Sequence, residues 1–236
     1  MLEVLKTQAE IRQARASLRA QGRSALDGPV RQWLKRRGLA SGPIVGDDLK
    51  SWDVARTLSF IDATLPRDAA ILDIGAYGSE VPVALAMMGC TGVHGIDLNP
   101  AVRAMPRAGE VRYDVGDFMS TPYPDGHFDA ITATSVIEHG YAPQRLFAEM
   151  ARLLRPGGCF IASFDYWPDK IDTGSTRFFD MSWLIFSWPE VQALLESAAG
   201  HGLVPAGELQ PAAGERAIQC AGFDYTFGWL VLRRAG

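Results

Sequence analysis

Apolar positions change rhythm near residue 69. Upstream they fall near helical spacing among Arg, Gln and Glu. Leu2, Leu5, Ala9, Ile11, Ala16 and Leu18 make an imperfect stripe, so the first forty residues read as helical, interrupted at Gly28-Pro29. A second short helix fits Val30, Trp33 and Leu34. Ser41-Gly42-Pro43 and Gly46 mark a turn or linker. A third helix fits Leu49 to Leu65, with Trp52, Ala55, Leu58 and Ile61 near helical spacing. Pro66 and Asp68 end it.

From residue 69 short apolar runs alternate with helical stretches. The run Ala69 to Gly75 reads as a buried strand, and Val81 to Met88 as a helix. Val93 to Ile96 is a second strand, ending at Asp97. Asn99-Pro100 starts a short helix with Asn99 as its cap. Val111 to Val115, Phe128 to Ala133 and Cys159 to Phe164 follow as strands, with an amphipathic helix at Pro143 to Leu154. Pro189 to Ala199 is helical, and Phe227 to Leu232 a last strand. This alternation predicts an α/β fold with a doubly wound, mostly parallel sheet and helices on both faces. Residues 1–65 stand apart as an N-terminal helical extension or lid, and residues 66–236 as the sheet domain.

Composition narrows the class. The chain has 236 residues, 47% of them hydrophobic and 21% charged, which excludes wholesale disorder. A net charge of −4 advertises no nucleic-acid partner, although Arg31 to Arg37 form a local basic cluster. Cys90, Cys159 and Cys220 are odd in number and widely spaced, which argues against a disulfide framework. Residues 1–20 carry charges throughout, and no long apolar run follows. No signal peptide or membrane span is expected, and the cytoplasm is the expected location.

In open parallel sheets, ligands bind beyond the carboxyl ends of the strands. After the first of these strands comes Asp73-Ile74-Gly75-Ala76-Tyr77-Gly78-Ser79, a glycine turn at a helix start. After the second comes Asp97, about 20 residues past Gly75, near the spacing at which an acid meets ribose hydroxyls. A dinucleotide fingerprint would need glycine at Tyr77 and Glu80, and both fail. An adenosyl ligand without phosphates, and carrying a positive charge, suits a loop holding Asp73 and Glu80 better than NAD does.

These residues belong to an ordered set. It comprises Ile71 to Ser79, Gly95-Ile96-Asp97-Leu98-Asn99, Gly116-Asp117-Phe118, Phe128 to His139, and Leu153-Leu154-Arg155-Pro156-Gly157-Gly158. The set, covering about 69–165, resembles the class I S-adenosylmethionine-dependent methyltransferases. The resemblance implies a Rossmann-like, seven-stranded domain, S-adenosyl-L-methionine as cofactor and S-adenosyl-L-homocysteine as product. It implies that Gly75, Ala76 and Tyr77 pass the methionine part and that Asp73 holds its amino group. Asp97, with Leu98 next to it, would bind the ribose. Asp117 would meet the adenine amine beside Phe118, and Ser135 would lie near the transferred methyl. Tyr77 and Ser79 depart from the family, where most members carry glycine.

Methyl transfer needs an aligned nucleophile and, for a hydroxyl acceptor, a base. His139 is the first choice because its ordinary pKa lies near neutrality, with Glu138 and Tyr166 as the others. Glu138-His139 also hints at a metal pair. RNA-end members of the class that use one carry a Glu where this chain has Ser135, so no metal is expected. Residues 165–188 hold Asp165, Tyr166, Trp167, Trp183 and Trp188, too long and aromatic a stretch for a simple connector. Asp165, Trp167 and Trp183 are expected to wall the acceptor pocket, with Trp52 completing it from the N-terminal side.

The expected activity is methyl transfer, on oxygen, to a small molecule such as a sugar, a polysaccharide precursor or a secondary metabolite. An RNA methyltransferase is one alternative and would show a continuous basic surface at the pocket. A non-catalytic binding protein on the same fold is another and would lack cofactor affinity.

Overall fold

The computed structural model describes residues 1–236. The chain opens with β1 (Leu2–Val4), α1 (Gln8–Ala20), α2 (Pro29–Arg36) and, after a 3-10 turn at Asp48–Lys50, α3 (Ser51–Thr64). Next come β2 (Ala70–Ile74), α4 (Val81–Met87), β3 (Gly92–Asp97), a 3-10 turn at Pro100–Ala104, β4 (Arg112–Val115) and β5 (Phe128–Thr134). They are followed by α5 (Pro143–Leu153), β6 (Leu154–Tyr166), the small hairpin β7 (Arg177–Phe178) and β8 (Met181–Ser182), and α6 (Trp188–Gly200). The chain closes with β9 (Leu203–Pro205), β10 (Ile218–Cys220) and β11 (Phe223–Arg234).

The sheet runs β1-β11-β6-β5-β2-β3-β4, with β9 and β10 also paired to β11. From β6 to β4 all neighbours are parallel, while β11 runs antiparallel to β6, β1, β9 and β10. Strand order reverses between β2 and β5, and the crevice at their carboxyl ends is the topological switch point. The helices α1, α3 and α4 cover one face and α5 and α6 the other, each over its own apolar cluster. Burial on both faces explains why β2 and β5 are largely apolar rather than alternating. Asn99 caps its 3-10 turn as expected, its side chain accepting from Ala101 N at 3.0 Å.

Residues 2–4 correct the helical reading of the N-terminus. Leu2 and Val4 are buried as a strand whose register is Leu2 against Leu230 and Val4 against Gly228. Residues 1–65 share the core of the sheet. The Trp229 indole on β11 donates to Thr57 Oγ1 on α3 at 3.0 Å. Arg15 on α1 forms a two-pronged pair with Glu80 ahead of α4, both contacts at 2.7 Å and both side chains buried. Residues 165–188 are ordered by the β7–β8 hairpin and by bridges such as Ile171 to Ile185. No helix is long and apolar enough to cross a membrane.

Candidate functional site

Three strand ends build the cofactor side. Asp73 near the end of β2 is buried, and its Oδ1 accepts from Thr132 Oγ1 at 2.5 Å. Its Oδ2 has no partner. Burial pushes its carboxyl up to about 7, against the hydrogen bond from Thr132. Gly75 follows at φ 69°, where a Cβ would stand 2.5 Å from Val136 Cγ2, so only glycine fits this turn.

The turn's amides are already spent. Gly75 N and Ala76 N donate to Ile96 O at 3.0 and 3.1 Å, and Tyr77 N donates to Asp97 Oδ2 at 2.9 Å. The turn is therefore no phosphate nest, in keeping with the failed dinucleotide fingerprint. Asp97 Oδ1 accepts from Asn99 N at 2.7 Å, which fixes the carboxylate while each oxygen keeps a free lone pair. Asp117 accepts from Met119 N at 2.8 Å and from Arg145 at 3.1 Å. Phe118 beside it is half-buried, Leu98 is exposed, and Ala76 is fully buried against the sheet.

Glu80 does not line the ligand side. It is 2% exposed and neutralised by Arg15, and it also takes the amides of Ala25 and Leu26 at 2.8 and 3.1 Å. The acid-lined loop read from the sequence thus reduces to Asp73, with Asp97 facing the site from the end of β3.

Beyond β5 and β6 lies a second group of charges. Ser135 ends β5 at φ 51°, a strained conformation for a residue with a Cβ. Its N–H donates to Ser163 O at 3.0 Å. Its hydroxyl accepts a hydrogen bond from the Lys50 ammonium, which also lies 4.2 Å from the Phe227 ring centroid. Burial disfavours the charge on Lys50, but the carboxylates of Asp165, Asp53 and Glu138 outweigh it and raise its pKa. Asp53 is fully buried and accepts from Ser163 Oγ at 2.7 Å, and burial pushes its carboxyl up to about 6. Asp165 accepts from the Trp183 indole at 2.7 Å, and its Oδ1 is unpartnered. Glu138 is fully buried with neither oxygen hydrogen-bonded. Burial, reinforced by Asp165, raises its pKa well above the carboxylate range.

The structure thus brings Glu138, Asp165 and Ser135 together and adds Lys50 and Asp53. It separates others. His139 packs edge-on against Phe178 and Phe179, and its Nδ1 is unpartnered. Burial and then Lys50 lower its pKa to about 4, so its ordinary basicity no longer recommends it as a base. Tyr166 lies apart from this group: strand alternation turns it to the face opposite Asp165, where its hydroxyl donates to Pro211 O at 2.8 Å. Trp52 also lies apart from the group. It lines a groove of about 410 Å³ between α1 and α3 with Glu10, Ala14 and Arg56, while its neighbour Asp53 turns inward. Trp183 is buried and orients Asp165, and Trp167 is half-buried beneath the Arg216 guanidinium, 4.4 Å from its ring centroid. Lys50 escaped the sequence reading. It belongs to no motif, and its only signal was its place beside Trp52-Asp53.

Residues 72–162 match the methyltransferase domain family. A sterol 24-C-methyltransferase of Gibberella zeae is 33% identical over 100 residues, covering 38% of this chain and 26% of the relative. The chain spans about half or less of the length of the curated relatives it matches. Among solved structures, the [4+2]-cyclase SpnF aligns with a TM-score of 0.59 at 18% identity, over 80% of this chain and 83% of that one. Geranyl diphosphate C-methyltransferase from Streptomyces coelicolor, solved with Mg²⁺, geranyl diphosphate and S-adenosyl-L-homocysteine, aligns at 0.57 and 18% identity, over 77% and 80%. Both likenesses are of fold.

Residues 72–162 thus match a methyltransferase domain, and the fold around them is the one those solved structures share. The residues present suit S-adenosylmethionine as a cofactor. The orphaned Asp73 Oδ2 lacks a donor such as an ammonium, and Asp97 offers lone pairs to a diol.

Proposed function

We propose that this chain moves a methyl group from S-adenosylmethionine to an oxygen of a small molecule such as a sugar, a polysaccharide precursor or a secondary metabolite. The cofactor supplies the electrophilic methyl. Asp73 would hold its amino group, Asp97 its ribose hydroxyls, and Asp117 with Phe118 its adenine. Gly75, Ala76, Tyr77, Leu98 and Ser135 would shape that channel.

The observation that carries the acceptor reading is Glu138. A buried carboxyl with two unpartnered oxygens, beside a second carboxyl with one, lacks hydrogen-bond donors that a hydroxyl could bring. The two interact strongly and stand above the usual carboxylate range, so they titrate as a pair. One ionised member would accept the acceptor's proton while the Lys50 ammonium stabilises the oxyanion that forms. The pair thus takes the role first given to His139. Trp183 would keep Asp165 oriented, and Trp167 would stand at the wall.

Calorimetric titration with S-adenosylmethionine and with NAD tests the cofactor. Heat is expected with the first alone, and none at millimolar cofactor would overturn the reading. A transfer screen with labelled cofactor against nucleotide sugars, glycans, phenolics and RNA tests the acceptor. Label is expected on a hydroxylated small molecule. Label on RNA alone would overturn the acceptor class.

A further inference from the structure

Among the α-helices, α2 alone buries no residue. Val30 is 70% exposed, Trp33 51%, and Leu39 just beyond the helix 67%. Val30, Trp33 and Arg37 recur at helical spacing and share one face, with the Arg37 guanidinium 5.4 Å from the Trp33 ring centroid. Arg31 and Lys35 turn back instead, reaching Asp27 at 3.3 and 2.5 Å, and so anchor the helix to its base. Arg36 and Arg37 pair with no carboxylate.

The base of this excursion is fixed beside the cofactor turn. Val45 N donates to Asp27 Oδ2 at 3.2 Å, and Gly46 N donates to Gly78 O at 2.8 Å. Other exposed apolar side chains lie at the same end of the sheet: Tyr77 after β2, Leu98 after β3, and Phe179 in the turn between β7 and β8. Phe179 is 81% exposed and, like Asp180, sits at positive φ, a strained way to present an aromatic ring to solvent.

We propose that α2 is an interfacial helix that seats this end of the sheet on an anionic lipid surface. A Trp-containing apolar face flanked by unpaired Arg is the chemistry that the headgroup region of such a bilayer accepts. The local positive charge stands out on a chain whose net charge is −4. A second copy is a poorer occupant, because a two-fold contact would set Arg36 and Arg37 against themselves. The inference is independent of the acceptor chemistry, and none of these α2 residues belongs to the site.

Co-sedimentation of the full chain with vesicles tests it, comparing mixed phosphatidylglycerol–phosphatidylcholine with phosphatidylcholine alone. Partitioning into the anionic vesicles is expected, weakening with salt. Trp33→Ala with Leu39→Ala, and separately Arg36→Glu with Arg37→Glu, should each weaken it by about tenfold or more. Circular dichroism and unchanged S-adenosylmethionine affinity would show that the variants remain folded. No partitioning, equal partitioning into both vesicles, or no effect of either variant pair would overturn the proposal. A concentration-dependent dimer lost on Trp33→Ala, without vesicle binding, would overturn it in favour of self-association.

Discussion

The Lys50 ammonium hydrogen-bonds the Ser135 hydroxyl, joining the turn ahead of α3 to the left-handed residue that ends β5. It brings the N-terminal segment to the strand end where chemistry is expected. It also sets a single cation among Asp53, Glu138 and Asp165. Lys50→Met should leave these carboxylates without a counter-charge. Removing one partner of a buried charge set costs about 3–5 kcal/mol, and the partial exposure of Lys50 brings the expectation to about 2–3 kcal/mol at pH 8. At pH 5 the carboxyls carry more protons, so the loss should shrink. Urea denaturation of both proteins at the two pH values measures this, and an equal loss at both would contradict the arrangement.

Asp73→Asn should separate stability from binding. The folded value of Asp73, about 7, lies above its unfolded value of 3.8. Its protonated form is thus favoured by folding. That contribution is full below pH 4 and is lost as pH rises toward 7. Asparagine imitates the neutral form at every pH. The variant should match the wild type near pH 4 and exceed it by about 1–3 kcal/mol at pH 7.5. Its affinity for S-adenosylmethionine should fall at the same time, since Oδ2 would no longer be a carboxylate oxygen. Denaturation curves and calorimetry on one preparation decide both halves.

Asp97→Ala should weaken S-adenosylmethionine binding by about a hundredfold, the worth of two hydrogen bonds to a charged group. Tyr77 N and Asn99 N also lose their acceptor, so the turn loosens together with the ribose contact. Unchanged affinity by calorimetry would remove Asp97 from the cofactor site.

The strands that carry the cofactor side were legible because their signals are local. β2 and β5 are largely apolar, Asp73 and Gly75 punctuate the end of β2, and Asp97 ends β3. β1 was not legible. Three residues, Leu2-Glu3-Val4, are too few to set a period of two against a helical one, and their partner Gly228–Leu230 lies at the other end of the chain. The face on which Tyr166 lies depended on register, since alternation at the end of β6 gives Asp165 and Tyr166 opposite destinations. Trp52 and Asp53 face different surroundings for the analogous reason on a helix: neighbours in sequence point about 100° apart. The Lys50 group was illegible because its members come from α3, the turn before it, the loop after β5 and the end of β6, and only packing unites them.

His139 should titrate at about 4 rather than near 6.5, because burial among Phe178 and Phe179 and the nearby Lys50 both disfavour its charged form. Nitrogen-15 chemical shifts of the four histidines across pH 3–9 would show it. A midpoint near neutrality would return His139 to the role of base. His139→Gln should accordingly leave the pH dependence of activity in place, since that dependence would belong to the Glu138–Asp165 pair.

Arg15 and Glu80 give the sharpest test of how the N-terminal segment is held. Both are buried, both guanidinium contacts are 2.7 Å, and Glu80 further orders the backbone of Ala25 and Leu26. Arg15→Met should strand a carboxylate in the core and cost about 3–5 kcal/mol. Glu80→Gln keeps an acceptor for the two amides, and Arg15 retains the hydroxyls of Ser24 and Ser51, so its cost should be smaller, about 1–3 kcal/mol. The double variant Arg15→Met with Glu80→Met strands no charge and should be more stable than Arg15→Met alone. Urea denaturation of the three proteins measures the coupling. Additive losses would mean that the two side chains act independently.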